Sequence, residues 1–302
     1  MANLTLTDPS PEQLVGMADG LIDAGFGSMA SDMYRIALKR APPEWRDRIL
    51  VRLGLADQRT ARTQQTFGVL ASVEQIAPGS MFVSDGLATW MKAAPFLEDR
   101  RFMDLALRHA DLLPIPNWHW NLQTALWAVQ RSKSVAGDLV ELGVFKGHTT
   151  LFCADYVEFA AWPKRWWLYD TFTGIPEDQL DEGFRLSNSQ AYNPETFSYE
   201  EVRDRFAGFP NIEVIQGRVP EILLDRAPEQ IAFLHVDLNN AAAEIAALDL
   251  LFDRVSPDGV ILFDDFCWSN ASKQRHAETA WFAARGEQIL PLPTGQGLYV
   301  KR

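Results

Sequence analysis

Through the first third of the chain, apolar residues recur at helical spacing. Leu14, Met17, Ala18, Leu21 and Ile22 form one such stripe, and Met33, Ile36, Ala37 and Leu38 form another. This period predicts helices from residue 11 to about residue 110, with no strand among them. From Gly137 onward the pattern changes to short continuous apolar runs separated by helix-period stretches. Strands are expected at 138–142, 165–170, 212–215, 231–237 and 259–264, and helices at 149–159, 200–206, 241–254 and 272–285. Such alternation predicts an α/β fold, a doubly wound, mostly parallel Rossmann-like sheet. The tail from Ile289 to Lys301 has two apolar runs joined by a Pro/Gly turn, which predicts an antiparallel C-terminal hairpin on that sheet.

Turn-forming clusters occur at Ala77-Pro78-Gly79-Ser80 and at Leu113-Pro114-Ile115-Pro116-Asn117. The second is taken as the boundary, giving a helical N-terminal region over 1–115 and an α/β domain over 116–302. The segment Gly25–Pro43 has the look of one tetratricopeptide-type helix pair. No second copy follows at a fixed period, so a cap or dimerisation element is the expected role, and through it a homo-oligomer. A helix from Trp118 to about Arg131 leads into the first strand, its Trp118 and Trp120 serving either as an aromatic lid or as helix-to-sheet packing.

Charge narrows the partners. A net charge of −12 disfavours nucleic acid and anionic membrane, both of which need clustered Lys and Arg. Cys153 and Cys267 are far apart and lack metal-type spacing. With no leader-like start and no membrane-length apolar run, the expected location is the cytoplasm.

Five acids stand at or just past the carboxyl ends of the apolar runs: Glu141, Asp170, Asp237, Asp264 and Asp265. Ligands of open parallel sheets bind beyond those ends. In Glu141-Leu-Gly143-Val144-Phe145-Lys-Gly147-His-Thr149, the glycines permit a tight strand-to-helix turn close to a ligand. Asp170 ends the next run, 23 residues after Gly147, where a carboxylate can accept ribose hydroxyls. The spacing Gly-x-x-x-Gly lacks the full pyrophosphate fingerprint, so a cofactor with ribose but no pyrophosphate fits, and S-adenosylmethionine (SAM) is such a cofactor. Candidate contacts are Glu141, Gly143, Val144, Phe145, Gly147, Thr149, Asp170, Thr171, Phe172 and Asp237. By position alone, Gln216, Gly217 and Arg218 belong at the adenine edge.

Several segments in order, Gly137 to Gly147, Tyr169-Asp-Thr-Phe-Thr-Gly-Ile-Pro176, Tyr199 to Arg203, Leu234-His-Val-Asp-Leu238 and Ser256 to Asp265, resemble the macrocin O-methyltransferase (TylF/MycF-like) family. The resemblance implies a class I SAM-dependent enzyme acting on sugar hydroxyls of natural products. It also implies a divalent metal, usually Mg²⁺, on the aspartates matching Asp237, Asp264 and Asp265. Oxygen ligands suit that ion, although adjacent Asp264 and Asp265 could instead cap a loop. Relatives commonly carry a second aspartate where this chain has Asn239, and an amide cannot accept a proton. Asp237 and His276 are therefore the catalytic candidates; His235 and His148 are weighed as second-layer or core residues. The loop 171–199 reads as a lid, with Arg185 a candidate acceptor contact and Glu177, Asp178, Asp181 and Glu182 a solvated face.

The expected function is a SAM-dependent, Mg²⁺-dependent O-methyltransferase for a hydroxylated small molecule, a glycoside or sugar-bearing metabolite. The rivals are a nicotinamide-dependent oxidoreductase and an inactive, methyltransferase-like scaffold.

Overall fold

A computed structural model describes residues 9–23, 26–58, 81–90, 92–112, 118–179, 197–268 and 271–302. The chain separates into two compact units, Met1–Ile76 and Ala77–Arg302. The first contains α1 (Pro11–Asp23), α2 (Gly27–Arg40) and α3 (Pro43–Gln58). Their apolar stripes close on one another through Leu14, Ala18, Tyr34, Ala37 and Ile49. Arg52 and the Tyr34 hydroxyl both donate to Asp19 across this small core.

The division falls after Ile76, not near residue 115, and residues from Ala77 onward belong to the α/β unit. The all-helical expectation also fails there, because β1 (Met81–Ser84) and β2 (Leu87–Trp90) pair as an antiparallel hairpin. Its two-residue turn is Asp85-Gly86 with φ of 55° and 65°, the left-handed pair that a tight hairpin requires. Helix α4 (Arg100–Arg108) follows, N-capped by Asp99, and buries Phe102 and Leu105 in the same core as Leu122 and Phe152.

Helix α5 (His119–Ser132) leads to the sheet. The strands are β3 (Asp138–Leu142), β4 (Trp166–Asp170), β5 (Ile212–Gln216), β6 (Ile231–Val236), β7 (Val255–Phe263), β8 (Leu290–Pro291) and β9 (Gly297–Val300). They lie in the order β5-β4-β3-β6-β7-β9-β8. The first five are parallel, while β9 runs antiparallel to β7, and β8 to β9. The order reverses between β3 and β6, so their carboxyl ends splay into the crevice where such sheets bind ligands.

Alternation along each strand feeds two cores. Leu139, Leu168, Phe233 and Leu262 face α5 and α6 (His148–Val157), whereas Val140, Tyr169, Leu234 and Ile261 face α9 (Ala241–Leu251) and α10 (Ser272–Ala283). The remaining helices are α7 (Tyr199–Arg205), started by a Ser198/Glu201 capping box, and the short α8 (Leu223–Arg226). Burial on both faces explains why β6 reads as a run that is apolar except for His235.

Candidate active site

On the β3–β4 side the glycine turn is held by the protein's own groups. Gly143 has φ of +84°, and a Cβ there would lie 1.9 Å from the Asp237 carbonyl oxygen. A Cβ on Gly147 would lie 2.7 Å from the Phe206 ring. Both glycines thus make room for neighbouring protein. Asp170 Oδ2 accepts from the N–H groups of Val144 (2.7 Å) and Phe145 (2.8 Å), and its Oδ1 from that of Phe172 (2.8 Å). Three main-chain donors on one carboxylate order the turn and the start of the segment after β4.

Phe145, Phe172 and Asn239, with φ of 49°, 54° and 57°, occupy left-handed positions just beyond β3, β4 and β6. Non-glycine residues held there cluster at functional rims. Thr171 Oγ1 donates to the Gly174 carbonyl (2.7 Å), and Thr149 is half-buried in the first turn of α6. At the neighbouring edge, Gln216 Nε2 donates to the Thr171 carbonyl (3.1 Å), Gly217 N–H donates to the Asp170 carbonyl (2.9 Å), and Arg218 pairs with Asp178 (2.6 Å). Residues 180–196, with Asp181, Glu182 and Arg185 of the expected lid, lie outside the described residues.

Glu141 sits deeper. It is 3% exposed, and register places it beside His235. One oxygen accepts from Thr150 Oγ1, and the other lies 3.0 Å from His235 Nδ1. Its carboxylate is therefore occupied by a strand neighbour and by the helix packed on the sheet. His235 Nε2 stands 3.6 Å from Asp264 Oδ1, an ion-pair distance beyond hydrogen-bonding range. Burial alone would depress the His235 pKa, but Asp264 and Glu141 outweigh it and raise it to about 10.

At the ends of β6 and β7, Asp237, Asp264 and Asp265 come together in charge. Each keeps a sliver of surface yet is enclosed by protein. Burial, and then the charges of Asp264 and Asp265, hold the Asp237 carboxyl well above its ordinary range. Asp265 is raised by burial, then by Asp264 and Glu244. Burial also opposes ionisation of Asp264, but His235, Asn121 and Gln296 override it and lower its pKa. Asp265 Oδ2 is buried without a hydrogen-bond partner.

The three carboxylates raise one another's cost of ionisation and Asp265 Oδ2 lacks a partner, oxygen chemistry of the kind a hard divalent cation takes. Among the described residues, however, no group of three or more acidic, histidine or cysteine side chains is placed so that it could hold a metal ion. Behind the rim, Glu244 and Glu278 are a buried carboxyl pair. Burial first, with Asp265 and Cys267 adding to it, pushes Glu278 up to about 7.

Asn239 Nδ2 donates to Asp237 Oδ1 (3.1 Å), so the amide supports that carboxylate instead of adding another charge. Asn240 N-caps α9. His276 is exposed, roughly 200° round α10 from the buried Gln274 and Glu278. The structure thus turns it away from the rim acids. His148 is 6% exposed, its Nε2 has no partner, and burial, followed by His109, depresses its pKa to about 3.

The macrocin-O-methyltransferase (TylF) model matches residues 119–286, more than half of the chain. The chain belongs to this family. It is accordingly an O-methyltransferase that draws on SAM, and the matched span holds every rim acid. Over 200 residues it is 26% identical to 8-demethyl-8-(2,3-dimethoxy-alpha-L-rhamnosyl)-tetracenomycin-C 4'-O-methyltransferase of Streptomyces olivaceus, covering 63% of this chain and 73% of that one. With mycinamicin III 3''-O-methyltransferase of Micromonospora griseorubida it shares 24% identity over 162 residues, 49% of this chain and 61% of that one. The solved O-methyltransferase NovP superposes with a TM-score of 0.50 at 21% identity, over 60% of this chain and 79% of that one, a likeness of fold. Among the described residues, no helix is long and apolar enough to cross a membrane.

Four supporting residues escaped the sequence reading: Ser84, Asp85, Asn121 and Gln296. For Asp85 a signal existed, since Asp-Gly between apolar runs is a strong short-range mark of a hairpin. Asn121 and Gln296 act through contacts far apart in sequence, which residue type alone does not reveal.

Proposed function

We propose that this TylF-family enzyme methylates a hydroxyl of a sugar carried on a small natural product, with the β6–β7 acids holding Mg²⁺. The observation that carries the reading is the group of half-buried carboxylates at the ends of β6 and β7, beside the glycine turn and where the sheet order reverses. The relative named for a rhamnosyl-tetracenomycin supports the acceptor class.

In this reading Val144, Phe145, Gly147 and Thr149 line the methionyl side of the cofactor. Asp170 holds their turn rigid, and Thr171, Phe172 and Gln216 to Arg218 border the nucleoside. Asp237, Asp264 and Asp265 would hold the cation, which when bound neutralises them and lowers the pKa of an acceptor hydroxyl. Asn239 keeps Asp237 oriented and takes no proton. Asp237, at the crevice edge, is the carboxylate assigned to the acceptor proton, and His276, on the outer face of α10, is left without a catalytic part. Fixed placement of hydroxyl and methyl donor is the larger part of the catalysis such a site can offer.

The test is methyl transfer from labelled SAM to a panel of deoxysugar glycosides, run beside calorimetric titrations with S-adenosylhomocysteine (SAH) and NADH. Heat with SAH, label in a glycoside and loss of transfer in Asp264→Ala are expected. Heat with NADH alone would sink the reading in favour of an oxidoreductase. SAH binding with transfer that survives both Asp264→Ala and chelation would remove the cation.

A further inference from the structure

Asp264 accepts from two buried side-chain amides, one in α5 and one in the turn before β9. Asn121 is fully buried in the first turn of α5, and its Nδ2 donates to Asp264 Oδ1 at 2.8 Å. Gln296 is equally buried in the turn before β9, and its Nε2 donates to the same oxygen at 3.3 Å. Gln296 is anchored through its side-chain oxygen and Asn121 through its main chain, Asn121 Oδ1 being buried without a partner. Asp85, 6% exposed in the β1–β2 turn, accepts from Trp120 N–H (2.8 Å), Asn121 N–H (2.9 Å) and Ser84 Oγ (2.6 Å). Through the first two bonds it stands in for the missing partners of a helix start. On the other flank, Thr294 Oγ1 donates to Gln296 Oε1 (3.0 Å), which fixes that amide with its nitrogen toward Asp264. A reversed amide at either position would set oxygen against carboxylate.

Every one of these contacts, and the approach of His235, falls on Oδ1. The carboxylate is thus held through one oxygen. Asp85 and Gln296 both lie outside the span 119–286 that defines the family match. The hairpin and the C-terminal turn are therefore parts of the site's support, although neither carries a reacting group.

We propose that Asn121 and Gln296 are positioning residues that aim Asp264 into the crevice, and that the β1–β2 hairpin, through Asp85, sets Asn121. This rests on the reading of Asp264 as a site residue. Pinning one oxygen fixes the rotamer without covering the other, which is how a supporting amide tunes a ligating carboxylate. Asn121→Leu and Gln296→Met keep close to the original volume and drop the donor.

Measured on the whole chain by paramagnetic resonance, each variant is expected to weaken Mn²⁺ binding by about tenfold or more, with SAH affinity unchanged. In an Asp264→Asn background, Asn121→Leu is expected to add nothing further, since a residue acting through Asp264 has nothing left to act on. A merely structural role would lower the melting temperature equally in the wild-type and Asp264→Asn backgrounds while leaving Mn²⁺ affinity unchanged, and this result would overturn the proposal. If the wild-type chain binds no Mn²⁺, the cation reading fails by itself, and crystal structures of the variants decide. An Asp264 carboxylate turned from its rotamer supports the positioning role, and an unmoved one overturns it. Gln296→Met supplies the same readings should Asn121→Leu fail to fold.

Discussion

At the ends of β3 and β4 every carboxylate oxygen has a partner; at the ends of β6 and β7 the carboxylate oxygens outnumber the side-chain donors that meet them. Asp170 is met by three main-chain N–H groups, and Glu141 by Thr150 and His235. Across the crevice Asp265 Oδ2 has none, and both Asp237 and Asp265 resist ionisation. The first side is finished by its own chain and is ready for a neutral or zwitterionic ligand. The second reaches balance only when protons or a cation arrive.

The two sides meet at Gly143, so the largest effect is expected there. Gly143→Ala sets a methyl against the Asp237 carbonyl and strains a residue at φ +84°. Overpacking and left-handed strain together should cost roughly 3 kcal/mol or more by urea denaturation, disturbing both sides at once. A variant of unchanged stability would show that the sides are not braced on each other. Next comes Asp170→Ala, which strands the N–H groups of Val144, Phe145 and Phe172. About 2 kcal/mol of stability and most of the SAH affinity should go, with Mn²⁺ binding retained. Loss of Mn²⁺ binding in its place would reverse the assignment of sides.

The pH-dependent effects should have opposite signs on the two sides. His148, beside the glycine turn, stays neutral in the folded chain down to about pH 3, whereas unfolded it takes a proton near 6.5. The unfolded state then binds more protons, so stability falls as pH drops below 6.5, by up to about 1.4 kcal/mol per pH unit. His148→Asn should flatten that limb. Glu278, behind the acids, holds its proton to about 7, whereas unfolded it releases it near 4.5. Here stability falls as pH rises through that window, and Glu278→Gln should gain on the wild type toward its upper end. Melting curves across both windows would check the pair, and slopes of the same sign would contradict it.

Much of this contrast was legible in the chain. The strand ends and the glycine turn announced themselves because burial on both faces forces continuous apolar runs, and because polar residues stop those runs at the rim. Asp237, Asp264 and Asp265 were visible for the same reason. What stayed hidden depended on side-chain direction and on distant contacts. Glu141 reads like a ligand residue, but pleat and register aim it at His235. His276 has suitable chemistry and the wrong helix face. Asn239, conspicuous as a missing acid, is explained by its left-handed backbone, which asparagine tolerates well, and by the hydrogen bond it gives Asp237. The β1–β2 hairpin was overlooked because helix periodicity in its surroundings outweighed one Asp-Gly turn.

The most direct test of the two-sided account is calorimetric titration of the chain with SAH in the presence of a chelator. If the β3–β4 side is complete by itself, SAH binds one per chain with the same affinity in chelator as in Mg²⁺, and Asp264→Asn leaves that affinity unchanged. Absence of heat, or heat only when Mg²⁺ is present, would contradict the account.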